Sequence, residues 1–183
     1  MKPSLPAGLI AAAMILVQPD VVGGQDLNAS IKQLADQTGP QAVLWRREIH
    51  AHPERSNREE KTSQTVAAAL REIGITEIKT GVARHGVVAL IRGSCPTPVV
   101  ALRADMDALP VQEATGLPFA SQNPGVMHAC GNDAHTSILL GTAKVLFQLR
   151  QSLPGSVKLV FQPSEEGAPA GEEGGASLMI KEG

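Results

Sequence analysis

The chain has 183 residues, 43% of them hydrophobic and 19% charged, with a formal net charge of −2. That length and balance describe one globular domain large enough to bury a core, without the basic footprint that nucleic acid or an anionic membrane surface requires. Aromatic residues amount to 2%, with no Tyr, which excludes a stacking platform for single-stranded bases.

Residues 1–24 stand apart. Lys2 precedes the apolar run from Ala7 to Val17, and Val22, Gly23 and Gly24 follow. A basic start, roughly 7–15 apolar residues and a small-residue exit form the pattern of a secretory signal, and the run is too short to span a bilayer. The expectation is a secreted or periplasmic protein; the alternative is a cytoplasmic one whose run is a short N-terminal helix. The two cysteines, Cys95 and Cys130, read as free thiols: Cys95 lies in a Ser-Cys-Pro turn and Cys130 among ligand-type residues.

In chain order, helical spacing of Leu27, Ile31, Leu34, Ala42, Leu44 and Ile49 predicts a helix over 26–50, interrupted near Gly39-Pro40 and ended by His52-Pro53. Asn57 is the expected cap of a second helix, with Glu59 and Glu60 in its first turn, running to Ile73 before Gly74. Ile78–Val82 and Gly86–Ile91 read as strands joined at Arg84-His85, and Val99–Leu102 and Val157–Phe161 as further strands. Ala134–Arg150 reads as a helix capped by Asp133, burying Ile138, Leu139, Ala143, Leu146 and Leu149. Another helix finishes over Ser177–Gly183. Near-continuous apolar strands alternating with such helices predict an α/β fold, a mostly parallel sheet with helices on both faces.

Ligands of open α/β sheets bind beyond the carboxyl ends of the strands, where Asp105 and Asp107 follow one strand and Glu165 and Glu166 another. Each pair alone reads as solvated surface acids; delivery of both to one edge reads as a site. Of adjacent glutamates, one can bind an ion while the other takes a proton from water. His128, Cys130 and Asn132 sit at alternate positions, which an extended backbone would aim the same way. His135 falls in a first helical turn, His50 and His52 lie on or beside the first helix, and His85 is a turn residue. A Cys130 nucleophile paired with His128 or His135 is the competing chemistry; it leaves both carboxylate pairs without work. Neither a Gly-x-Ser-x-Gly elbow nor a phosphate-binding Gly-x4-Gly-Lys loop occurs.

The segments RADMDALP (103–110), MHACGNDAHT (127–136), FQPSEEG (161–167), GGASLMIKEG (174–183) and HAHPE (50–54) together resemble the metal-dependent amidohydrolases that include hippurate hydrolase and the plant indole-acetyl-amino-acid hydrolases. The resemblance runs from about residue 40 onward and implies a two-ion hydrolase that cleaves the amide of N-acyl amino acids, small-molecule substrates. Cys130 and Glu166 match metal-ligand positions, Glu165 the general base and Asp107 the acid that supports the centre. The ions are divalent, with Zn, Mn, Co and Ni not distinguished. Where the family has His-Ala-Cys-Gly-His-Asp, this chain has Asn132 in place of the second His, a metal ligand; a neutral amide oxygen is a poor substitute for imidazole. The resemblance further implies that 25–183 is the N-terminal portion of the catalytic domain. Additional ligand histidines and a smaller inserted domain would lie C-terminal to it, and a family-type homo-oligomer would need that domain. The alternative expectation is an inactive truncated or decayed homologue with at most weak metal binding.

Overall fold

The computed structural model describes residues 26–183, so the expected signal segment lies outside the described residues. Four strands, β1 (Ile78–Val82), β2 (Gly86–Ile91), β3 (Val99–Asp105) and β4 (Ser156–Gln162), form one sheet in the order β1-β2-β4-β3. The α/β class holds, but the sheet is mixed rather than mostly parallel. β1 pairs antiparallel with β2 and β2 antiparallel with β4, and only β3 and β4 run parallel. The reason is connection length. β1 and β2 are joined by a tight turn in which Ala83 and Arg84 take φ of 49° and 73°, and a tight turn can only reverse the chain, whereas a parallel pair needs a long crossover.

That crossover is α3 (Asn132–Gln148), which packs with α2 (Glu60–Ile73) on one face of the sheet. Val66 and Leu70 of α2 meet Leu139, Leu140 and Ala143 of α3 over Val87, Ala89, Leu159 and Phe161 of the sheet. Phe161, Leu140 and Leu70 are completely buried, each contributing about 1.5–3 kcal/mol of hydrophobic stabilisation. α1 (Leu27–Ala51) lies outside α3. The expected helices on both faces are therefore unevenly placed. The opposite face carries half-buried Val88, Leu90 and Val160 and exposed Lys158, and α4 (Gly175–Glu182) reaches β1 and β4 near Gly86.

Four local expectations are corrected. α1 is not interrupted at Gly39-Pro40 but continues through Pro40. The chain on either side is seated on α3, where Thr38 and Ala42 close to 3.6 and 3.5 Å of the space a side chain would take at Gly141. Asn57 does not cap α2: it adopts φ 60° and donates instead to Glu172 and to the Glu173 carbonyl. The first N–H groups of α2 are taken by Glu54, whose carboxylate accepts from Lys61 N and Thr62 N at 3.1 and 2.8 Å. Asp133 does not cap α3 either, since the helix begins one residue earlier, at Asn132. Ile138, expected on the buried face, is 62% exposed, while Leu140 takes its place in the core.

β3 extends through Asp105, further than its apolar run, because its register with β4 continues to the pair Asp105–Gln162. Met106 N donates to the Gln162 carbonyl, at 3.0 Å. The two strands thus end side by side, and their following residues emerge at one edge.

Candidate functional site

Asp107 is the hub of that edge. It is fully buried, and its carboxylate accepts from Ser56 Oγ at 2.6 Å, Glu165 N at 3.0 Å and Glu166 N at 2.9 Å. Successive backbone N–H groups of one strand-end turn therefore point into a single carboxylate, with Ser164 at φ 49° making the bend. This grip turns the main chain inward at Glu165 and Glu166. The pairing of the two carboxylate segments, expected from strand ends alone, is a direct hydrogen-bonded contact.

Cys130 and Asn132 both reach Glu166, but not along an extended chain as expected. Gly131, at φ 121°, turns the backbone into α3, so Asn132 is already helical and Cys130 stands in the loop before it. His128 does not join them. It is buried beside His50, ring centroids 6.3 Å apart, with neither ring nitrogen hydrogen-bonded among the described residues. Burial pushes its imidazole down to about 4, against the pull of Asp133.

Asn132 is buried, and its amide nitrogen donates to the Asp107 carbonyl at 2.9 Å, lying 3.4 Å from both Asp107 Oδ1 and Glu166 Oε1. Three oxygen acceptors around one nitrogen fix the amide orientation: a flipped amide would set its oxygen against all three. Asn132 thus offers a donor toward the carboxylates where a metal ligand would offer a lone pair.

The electrostatics are those of a negative pocket. The Glu166 carboxylate beside it holds the Cys130 thiol above its ordinary value, with further contributions from burial, Glu165 and Asp105. Desolvation together with Asp105, Glu166 and Asp107 raises Glu165, partly offset by Arg103. Arg103 itself is bound to Asp105, Nη2 to Oδ1, at 2.7 Å. His135 stands 4.0 Å from Asp105. A thiol and carboxylates gathered at one negative edge are a donor set suited to a divalent cation. Cys130 and Glu166 fit one, whereas Asn132 in its present orientation does not. Among the described residues no three His, Cys, Asp or Glu side chains gather into a complete ion site.

Behind this edge lies a network that the sequence reading did not assemble, placing His50 only on the first helix and Asp133 as a cap. His50 bridges Asp133 Oδ2 at 2.8 Å and Glu113 Oε1 at 3.3 Å, and Arg46 Nε reaches the same Asp133 oxygen at 3.0 Å. Burial alone would raise Asp133, but the bonds from His50 and Arg46 and the charge of His128 outweigh it and hold it low. Glu113 is held low chiefly by Thr115 and Ser121 N. The network ties α1, α3 and the long segment 106–131 together. Ser56 and Glu59 were also missed, because no spacing in the sequence indicates that a polar residue after His-Pro-Glu turns inward.

The comparisons with known proteins fit this geometry. Residues 101–183, which hold the Asp107, Cys130 and Glu165 segments, match the peptidase family M20/M25/M40. The chain is 48% identical over 153 residues to an N-acyl-L-amino acid amidohydrolase of Geobacillus stearothermophilus, covering 84% of this chain and 40% of that protein. It is 45% identical over 143 residues to an N-acetyl-L-cysteine deacetylase of Bacillus subtilis, covering 78% and 33%. The crystal structure of Bacillus subtilis YXEP, a dinuclear metal binding peptidase from the M20 family, superposes with a TM-score of 0.67 at 44% identity over 74% of this chain and 37% of that one. The chain thus spans well under half the length of these relatives, and on its motifs, its fold and these likenesses it belongs to the peptidase family M20/M25/M40.

Proposed function

We propose that this chain supplies the strand-end half of the active site of a metal-dependent amidohydrolase acting on N-acyl amino acids, including hippurate-like aromatic acyl groups. One observation carries the proposal: a single buried carboxylate, Asp107, holds the amides of Glu165 and Glu166 while Cys130 and Asn132 converge on Glu166. The relatives' amidohydrolase and deacetylase activities and the dinuclear centre of the similar structure support it. A divalent cation, when bound, supplies Lewis acidity toward water and the scissile carbonyl. Cys130 and Glu166 would hold it. Glu165, whose carboxyl is held above its ordinary value by desolvation and then by its negative neighbours, takes a proton from the attacking water and returns it to the departing amine. Asp107 keeps both glutamates in place without touching substrate.

A second reading rests on Asn132. Its amide nitrogen faces Asp107 and Glu166, where a second ion would need a lone pair. This favours a chain that binds one ion or none and turns over slowly. The measurement that separates the two readings is chelator-sensitive hydrolysis of hippurate and N-acetyl amino acids by purified protein, with Glu165→Gln as control. Turnover at ordinary enzymatic rates that is lost in Glu165→Gln supports the first reading; no turnover with less than one ion bound supports the second.

We further propose that residues 1–24 direct export and that 25–183 forms part of one catalytic domain, assembling into oligomers only together with the family's smaller domain. N-terminal sequencing from the natural host tests the export: Met1 retained on cytoplasmic protein would contradict it.

A further inference from the structure

Glu59 has none of its surface exposed, yet it is a carboxylate with no cation bonded to it among the described residues. It directly precedes α2, where negative charge is favoured, so a helix-end acid is the ordinary explanation. The hydrogen bonds point elsewhere. Its side chain makes no bond to the first turn of α2, whose free N–H groups are taken by Glu54. Instead Glu59 Oε1 accepts from Asn57 N at 3.0 Å and from Ser164 N at 2.7 Å, across 105 residues of sequence. Three consecutive N–H groups of the acid turn are therefore held by two buried carboxylates: Ser164 by Glu59, and Glu165 and Glu166 by Asp107.

We propose that Glu59 is a positioning residue, the second anchor of the Ser164–Glu166 turn, which together with Asp107 sets where the Glu165 and Glu166 carboxylates point. Asp107 alone leaves the turn free to pivot about its own two bonds. The bond to Ser164, at the residue whose left-handed φ makes the bend, removes that freedom. A carboxylate is also kept here at a cost. Its other oxygen, Oε2, is buried without a partner among the described residues, as are Ser164 Oγ and Asn57 Oδ1 on the two residues that donate to Oε1. Burial accordingly pushes Glu59 up to about 7, with backbone donors opposing the shift and Asp107 adding to it. A residue selected only to pack would not carry this burden.

The inference rests on the proposed function only in taking Glu165 and Glu166 as the working acids. The test uses the whole chain and two readouts: hydrogen exchange of the Ser164, Glu165 and Glu166 amides, and Co2+ affinity from the absorption of the Cys130 thiolate–cobalt complex. Glu59→Leu is expected to speed exchange at Ser164 about tenfold or more and to weaken Co2+ about 10–100-fold, as loss of a supporting partner typically does. The sheet should stay protected. Glu59→Gln, which keeps one oxygen for both N–H groups, should restore wild-type protection. Faster exchange confined to residues 60–63 in Glu59→Leu, with 164–166 unchanged, would make Glu59 a helix-end residue and overturn the proposal. Should Glu59→Leu not fold, Glu59→Asp, a carboxylate one methylene short of Ser164, carries the same two outcomes. If the wild-type chain binds no Co2+, the functional reading fails, while the exchange rates still decide the role of Glu59.

Discussion

Replacing Asp107 by Asn changes one atom of the hub and tests whether the site is built as its hydrogen bonds indicate. The carboxylate accepts Glu165 N and Asn132 Nδ2 on Oδ1, and Ser56 Oγ and Glu166 N on Oδ2. An amide nitrogen must take one of these positions. At Oδ1 it faces two donors, neither of which can reverse. At Oδ2 the Ser56 hydroxyl can rotate to accept, but the Glu166 N–H is left unpaired. The second arrangement is cheaper and still buries an unsatisfied backbone donor, costing about 1–3 kcal/mol, while the remaining bonds lose their charge assistance at about 1 kcal/mol each. Relief of repulsion from neighbouring carboxylates returns part of this, so Asp107→Asn should lose about 3 kcal/mol. With a urea m-value of about 2 kcal/mol/M, the unfolding midpoint at pH 7 should fall by about 1.5 M, read by circular dichroism and by fluorescence of the single Trp45. A midpoint within about 0.3 M of wild type would refute the hub.

Glu59 gives stability a pH dependence of known sign. Its folded pKa is raised from the ordinary 4.5 to about 7, so the folded state binds the proton more tightly; the contribution is complete below the unfolded value and is lost as pH rises through about 7. It amounts to about 3 kcal/mol, and the difference in urea midpoint between wild type and Glu59→Gln should change over pH 4.5–8; a constant difference would contradict the assignment. Asn132→His should raise the number of ions bound per chain, counted by equilibrium dialysis, because imidazole supplies the lone pair that the amide nitrogen withholds; equal counts would mean that position 132 is no ligand. Gly175→Ala would place a methyl 1.7 Å from the Pro163 carbonyl, forcing the backbone beside the acid turn to move, at about 1–3 kcal/mol; unchanged stability and unchanged exchange at Ser164 would show that the turn yields freely.

The sequence by itself determined the elements and the chemistry at their ends. Apolar runs of β length and helical spacing placed all four strands and the core of α2 and α3, because burial must follow the period of the backbone. The carboxylate pairs were legible as strand-end acids, and Asn132 as a departure, from residue type alone. The sequence misjudged whatever depends on partners distant in the chain. Asn57 and Asp133 are good caps by local preference, but Glu172 and the Glu173 carbonyl claim the first, and Arg46 and His50 the second. The sheet is mixed because the β1–β2 turn is too short to cross over, which strand composition does not encode. His128 left the ligand row for a buried place beside His50, a partner distant in the chain. Only the tertiary structure made Glu59 and Ser56 part of the site and turned the amide nitrogen of Asn132 toward Glu166. A hydrogen bond across 105 residues leaves no periodic trace, and the acceptors around a buried amide come from segments that meet only when the chain has folded.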